Sequence, residues 1–288
     1  MTVARSPVAR SSIWIMLGAT LLWGASSAAL AAVDGALTSS ALVAAAGGVT
    51  LLMIAGVRGQ RPLRVFTETP WLYVQLGALE AANLLLFVAA LKCGPLPVVV
   101  PLHLTAPLLL LGFAVLRGRR PMTVPVGVEF VLVAVAIAVA AGGSADIGTG
   151  RAVLGCVLAV GSAVCVALLV SLIARESAQR PTIASAGWQL AVASALGAGL
   201  VASDPPTVSV VWAMVLIGAL LLGPGFVLYW LGLRHLDATT ASILGLNEAV
   251  FAAVVSALFT DTPISAGAVI AGALVLSALL LREGLSAR

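Results

Sequence analysis

Apolar residues run in blocks of about twenty along the whole chain, and polar residues gather in the short intervals between them. Wound as a helix, a block of that length crosses a hydrocarbon core of about 30 Å. The blocks fall at 11–33, 38–57, 70–91, 95–116, 121–142, 151–174, 182–203, 208–232, 237–259 and 264–282. They lack the apolar–polar alternation of barrel strands, and lipid-exposed backbone otherwise tolerates only helices. The pattern therefore predicts an all-α membrane protein of ten transmembrane helices.

Composition removes the soluble alternative. Of 288 residues, 61% are hydrophobic and only 9% charged, where a soluble domain carries roughly a quarter charged. The net charge of +4 does not point to nucleic acid, because the basic residues sit in the connections between spans. All but Lys92 and Arg151 of the 15 Lys and Arg fall on one side of the expected bundle, and Asp34, Asp146, Asp204 and Asp261 fall on the other. The positive-inside rule then puts both termini in the cytoplasm and the protein in the inner membrane. Arg5 and Arg10, ahead of an apolar run ending Ala28-Ala29-Leu30-Ala31-Ala32, imitate a secretion signal, but the segment is read as a retained first span. Cys93, Cys156 and Cys165 are odd in number and form no CxxC, so they are read as packing residues. Trp14, Trp71 and Trp212 open spans, where interfacial rings belong, whereas Trp23, Trp188 and Trp230 lie deeper.

The two halves resemble one another. Ala90–Pro121 overlays Gly232–Pro263 without a gap, pairing Lys92 with Arg234, Leu104 with Leu246 and Pro121 with Pro263. Five spans per half is an odd number, so the second half must insert upside down. The expectation is two inverted five-helix repeats, residues 1–145 and 146–288, with substrate bound near the midplane where they meet. Prolines 95, 97, 101 and 107 crowd the fourth span, and Gly223-Pro224-Gly225 interrupts the eighth. Both should free backbone carbonyls, which suits a cavity wall.

Deep polar residues are few. Glu80 and Asn83 share a face of span three, His103 lies in span four, Glu129 in span five, and Asn247-Glu248 in span nine. A charge at such depth costs about 2.5–3.5 kcal/mol on insertion scales, so these residues tend to face a cavity or mark a path. Carboxyl and imidazole groups kept from water can exchange protons near neutral pH. Glu248, His103, Glu80, Asn83, Asn247 and Trp23 are the candidate substrate- and proton-binding residues. Glu129 has no polar neighbour and is read as a helix contact or subunit interface. No Lys or Arg lies deep in a span, which argues against a phosphorylated substrate and for a cation or zwitterion.

Leu22-Trp23-Gly24, Asn83 followed by Leu-Phe-Val-Ala-Ala-Leu, Gly94-Pro95-Leu96-Pro97, Thr105-Ala106-Pro107 and Arg119-Arg120-Pro121 resemble the drug/metabolite transporter superfamily. The look is that of ten-span EamA-type carriers and, among them, the threonine/homoserine exporter group. Leu246-Asn247-Glu248-Ala249 and Thr260-Asp261-Thr262-Pro263 add to the resemblance. The departures are His103-Leu104, where the exporter group typically has Glu-Phe, and Ala249, where proline is usual. The resemblance implies a proton-driven exporter of small metabolites such as amino acids, without a bound cofactor, in the lipid bilayer and compatible with a homodimer.

Three other readings compete. A facilitator or importer of amines or quaternary ammonium compounds would need an aromatic cage, and aromatics are only 5% of the chain. A non-transporting membrane scaffold would have no use for buried carboxylates. An intramembrane enzyme lacks its motifs: His103 and His235 form no HExxH, and there is no G-x-S-x-G or nucleotide-binding loop. The chain is read as a non-enzyme.

Overall fold

The computed structural model describes residues 7–33, 38–94, 96–118, 123–142, 150–203 and 205–259, together with separate helical residues between 266 and 281. Every regular element among the described residues is helical. The elements are α1 (Pro7–Ala32), α2 (Thr38–Val57), α3 (Pro62–Glu68), α4 (Pro70–Cys93), α5 (Leu96–His103), α6 (Ala106–Leu116), α7 (Val124–Gly142), α8 (Gly150–Glu176) and α9 (Thr182–Ser203). After these come α10 (Val208–Ile217), a π-helical turn (Gly218–Leu222), α11 (Gly223–Leu233), α12 (Ala238–Gly245) and α13 (Asn247–Phe259).

Seven spans among the described residues are long and apolar enough to cross a membrane: α1, α2, α4, α8, α9, the composite Val208–Leu233 and the composite Ala238–Phe259. The expected fourth span is present as two short helices, α5 and α6, and the expected fifth as α7. The expected tenth lies largely outside the described residues. The connection at 58–69 contains α3, which the hydrophobic pattern did not reveal because it is only about two turns long. It is held by Trp188, whose Nε1 donates to the Pro62 carbonyl at 2.7 Å, and by Phe66 packing against Trp188 and Tyr73.

The interruptions have distinct chemistry. Between α5 and α6 the chain makes tight i→i+3 bonds, from Thr105 N–H to Leu102 O and from Leu108 N–H to Thr105 O. Pro107, at the head of α6, has no N–H to continue the ladder. In the eighth span Gly223 N–H reaches back to Gly218 O, five residues away, just ahead of Pro224. Gly218 and Gly223 let this widened turn sit directly on Gly47 of α2, where a Cβ would strike backbone. The ninth span breaks without proline: Leu246 N–H bonds Ile243 O, Ala249 N–H bonds Leu246 O, and Asn247 Nδ2 donates to Leu244 O at 2.9 Å. An asparagine side chain competing for helix carbonyls is enough to end one helix and start another.

The two cations expected on the sparsely charged side are structural. Lys92 Nζ donates to Val33 O at 2.7 Å, and Arg151 donates to Lys92 O at 2.9 Å, joining the ends of α1 and α4 to the start of α8. At the other end Arg234 donates to the carbonyls of Ser177 and Arg180. Cys93, Cys156 and Cys165 are free thiols.

Candidate functional site

Helices α1, α4, α8, α9 and α11 and the broken pairs α5/α6 and α12/α13 surround one internal cavity of about 80 Å³, room for several water molecules. Glu80, Asn83, His103, Glu248 and Trp23 all line it. Asn247 does not; its amide is spent on the helix break. Glu129 sits on α7, which contributes no lining residue among those described, and its side chain lies outside the described set.

One side of the cavity is a chain of hydrogen bonds through five helices. Trp230 Nε1 (α11) donates to Gln189 Oε1 (α9) at 3.0 Å, and Gln189 Nε2 donates to Glu80 Oε2 (α4) at 2.9 Å. Asn83 Nδ2 donates to Glu80 Oε1 at 3.1 Å. Ser162 Oγ (α8) lies 2.6 Å from Asn83 Oδ1, 3.1 Å from the Asn83 carbonyl and 2.8 Å from His103 Nδ1 (α5). A hydroxyl has one proton, so donation to Asn83 Oδ1, the shortest contact, makes Ser162 the acceptor of His103 Nδ1–H. In neutral His103 the lone pair then falls on Nε2. The imidazole is further fixed by Phe87, ring centroids 4.3 Å apart. Glu80 thus takes donors on both oxygens, and all bonds in the chain point toward it.

Glu248 lies in the first turn of α13, with its carboxylate at the cavity wall. Ser27 Oγ of α1 donates to its Oε1 at 2.7 Å. Gly24, one turn earlier on α1, is what allows this approach: a Cβ there would lie 2.8 Å from Glu248 O, Ala252 N and Phe251 Cβ. Beside this carboxylate stand three cavity-lining aromatics. Trp23 meets Phe226 edge-on at 5.0 Å and Tyr229 at 4.7 Å. Two buried donors of cavity-lining residues, Trp23 Nε1 and Ser26 Oγ, have no hydrogen-bond partner among the described residues. An unmet buried donor costs about 1–3 kcal/mol, a cost that a water molecule or a solute reaching it would relieve.

The described lining residues include no Lys or Arg, and no cluster of three His, Cys, Asp or Glu among the described residues is placed to hold a metal. Sequence patterning missed Ser27, Ser162 and Gln189. Small hydroxyls are common packing residues in membrane helices, so the two serines carried no signal. Gln189, a lone amide in the middle of a span, did carry one.

Comparison with known proteins gives the context. No curated protein matches the chain. A solved protein, described only as a crystal structure of a protein, shares the fold with a TM-score of 0.75 at 22% identity, over 96% of this chain and 99% of that one. Residues 153–282 match the EamA-like transporter family. Residues 153–282 of this multi-pass helical membrane protein are thus similar to the EamA-like transporter family.

Proposed function

We propose that the chain is a secondary transporter that moves small zwitterionic or cationic metabolites, such as amino acids, through this cavity in exchange for protons, working as an exporter. The observation that carries the reading is the Glu248 end of the cavity. The Glu248 carboxylate lines the cavity together with Trp23, Ser26 and Tyr229, and no Lys or Arg is among the described lining residues. An ammonium group would sit against Glu248 and the rings of Trp23 and Tyr229, and a carboxylate would take the Trp23 and Ser26 protons. Asn83, one of the candidate substrate-binding residues, has its amide committed to Glu80 and Ser162. Glu80 and Glu248, with His103, are the proton carriers in this reading.

The ten-span, two-repeat architecture belongs to the same proposal. At the shift of 142 residues suggested by the sequence, α5 begins at Leu96 and α12 at Ala238, and α5 ends at His103 and α12 at Gly245. Broken helices at matching places in two halves are what an inverted-repeat carrier uses to line its midplane site. The charge asymmetry along the sequence supports cytoplasmic termini in this reading.

A second reading has one observation in its favour. Trp23, Phe226 and Tyr229 converge beside Glu248, an arrangement that suits a quaternary ammonium solute taken up by facilitated import.

The test is flux in proteoliposomes with an imposed proton gradient, using amino acids, primary amines and quaternary ammonium compounds, with Glu248→Gln and His103→Ala beside wild type. Gradient-driven movement of an amino acid or amine that Glu248→Gln abolishes is the expected result. Movement indifferent to the gradient would end the proton-exchange claim, and movement confined to quaternary ammonium compounds would establish the second reading.

A further inference from the structure

A second hollow, of about 840 Å³, opens on the outside of the bundle between α4, α6, α8 and the start of α12. It is separate from the central cavity. On α4 it is lined by Gln75, Ala78 and Leu79, a face turned by roughly a third of a turn from Glu80, Asn83 and Phe87. On α8 it is lined by Leu168, Leu172 and Arg175, opposite Val166, Val170 and Ile173 of the cavity wall. Its inner walls are apolar and accessible: Phe113 is 55% exposed and Leu168 50%. Its mouth, at the basic end of the bundle, holds two guanidinium groups, Arg117 and Arg175. Arg117 lies over the Phe113 ring, 4.7 Å from its centroid. Neither arginine has a carboxylate partner among the described residues. The neighbouring acids are engaged elsewhere, Glu176 with Arg180 at 3.6 Å and Asp237 with the N–H groups of Thr239 and Thr240.

An apolar groove facing lipid, ending in two arginines without a carboxylate partner among the described residues, has the shape and charge of a phospholipid seat. We propose that this groove binds one anionic phospholipid, its phosphate between Arg117 and Arg175 and an acyl chain along Leu110, Phe113, Leu168 and Leu172. Gln75, exposed on the α4 wall, supplies an amide at the level of the lipid ester groups. The bound lipid would brace α6 against α8 from outside, while Ala106 and Pro107 of the same α6 line the central cavity.

The experiment is native mass spectrometry of the full chain in non-ionic detergent. It is titrated with phosphatidylglycerol or with phosphatidylcholine of the same acyl chains. An arginine near an anionic headgroup contributes about fivefold, so wild type should prefer phosphatidylglycerol by roughly 25-fold. Arg117→Gln/Arg175→Gln should bring the two lipids close to parity, whereas Arg58→Gln/Arg61→Gln, at the same end but outside the groove, should leave the preference intact. Ala114→Trp fills the groove with both arginines present, and it too should abolish the preference. Monodisperse elution and an unchanged helical circular dichroism signal establish that each variant is folded. Equal binding of the two lipids by wild type would overturn the proposal. So would equal loss in the Arg58/Arg61 variant, retention in Ala114→Trp, or displacement of phosphatidylglycerol by millimolar inorganic phosphate, which would mark a site for a soluble anion.

Discussion

Gly24 lies where α1 crosses α13 beside Glu248, and Gly24→Ala tests whether that crossing positions the carboxylate. A Cβ at residue 24 would stand 2.8 Å from Ala252 N and Glu248 O, and ordinary contact begins at 3.4 Å. Both atoms are backbone and cannot rotate away, so the helices must separate by about 0.6 Å, the difference between those distances. Overpacking of this kind costs about 1–3 kcal/mol, partly offset by the roughly 0.8–1 kcal/mol that alanine gains over glycine inside a helix. The net expectation is a loss of about 0–2 kcal/mol. The Ser27–Glu248 bond, now 2.7 Å, would stretch beyond the usual 2.5–3.0 Å range for O–H···O bonds. Transport should therefore fall along with stability. The control is Gly112→Ala in α6, where an added Cβ meets nothing within 4 Å; it should be neutral or slightly stabilising. Unfolding of both variants in mixed micelles gives the comparison. If Gly24→Ala is as stable as Gly112→Ala and transports as wild type, the close crossing does not hold Glu248 in place.

Ser162→Ala removes the bridge between His103 and Asn83 and leaves two buried polar atoms unpaired, a loss of about 1–3 kcal/mol that tends to the low end in membranes; a melt indistinguishable from wild type would show the bridge to be idle. Trp23→Phe keeps the ring but deletes the unmet Nε1 donor. It should raise KM for zwitterions several-fold while sparing simple amines, and an equal effect on both would count against a carboxylate at that donor. Ser27→Ala should weaken apparent substrate affinity several-fold with a stability change under about 1 kcal/mol, measured by flux and by unfolding.

Spans were legible where hydrophobicity alone decides them: 38–57 and 182–203 coincide with α2 and α9. The proline-rich fourth span was legible as a broken one because proline has a single structural meaning in a helix. The break at Leu246 was not, since it rests on one asparagine side chain turning back on Leu244, a local choice that composition does not reveal. Glu80, Asn83, His103 and Glu248 stood out because ionisable or amide groups are costly in lipid, and the fold brings all four to one cavity. Asn247 was costly for a different reason, its role in that break. Ser27 and Ser162 were invisible because a serine in a membrane helix looks the same whether it packs or bridges. The aromatic cluster was also hidden: only 5% of the chain is aromatic, yet Trp23, Phe226 and Tyr229 come from distant segments to one place.

The central claim, that a small ammonium-bearing solute and protons exchange through the cavity at Glu248, is tested most directly by substrate-driven proton movement. Proteoliposomes loaded with a pH-sensitive dye and holding no initial gradient are given an outward or inward step of substrate. Wild type should change the internal pH with a sign that reverses with the direction of the step, and Glu248→Gln should leave it flat. An internal pH that responds equally in Glu248→Gln, or solute flux in wild type with no proton movement at all, would contradict the account.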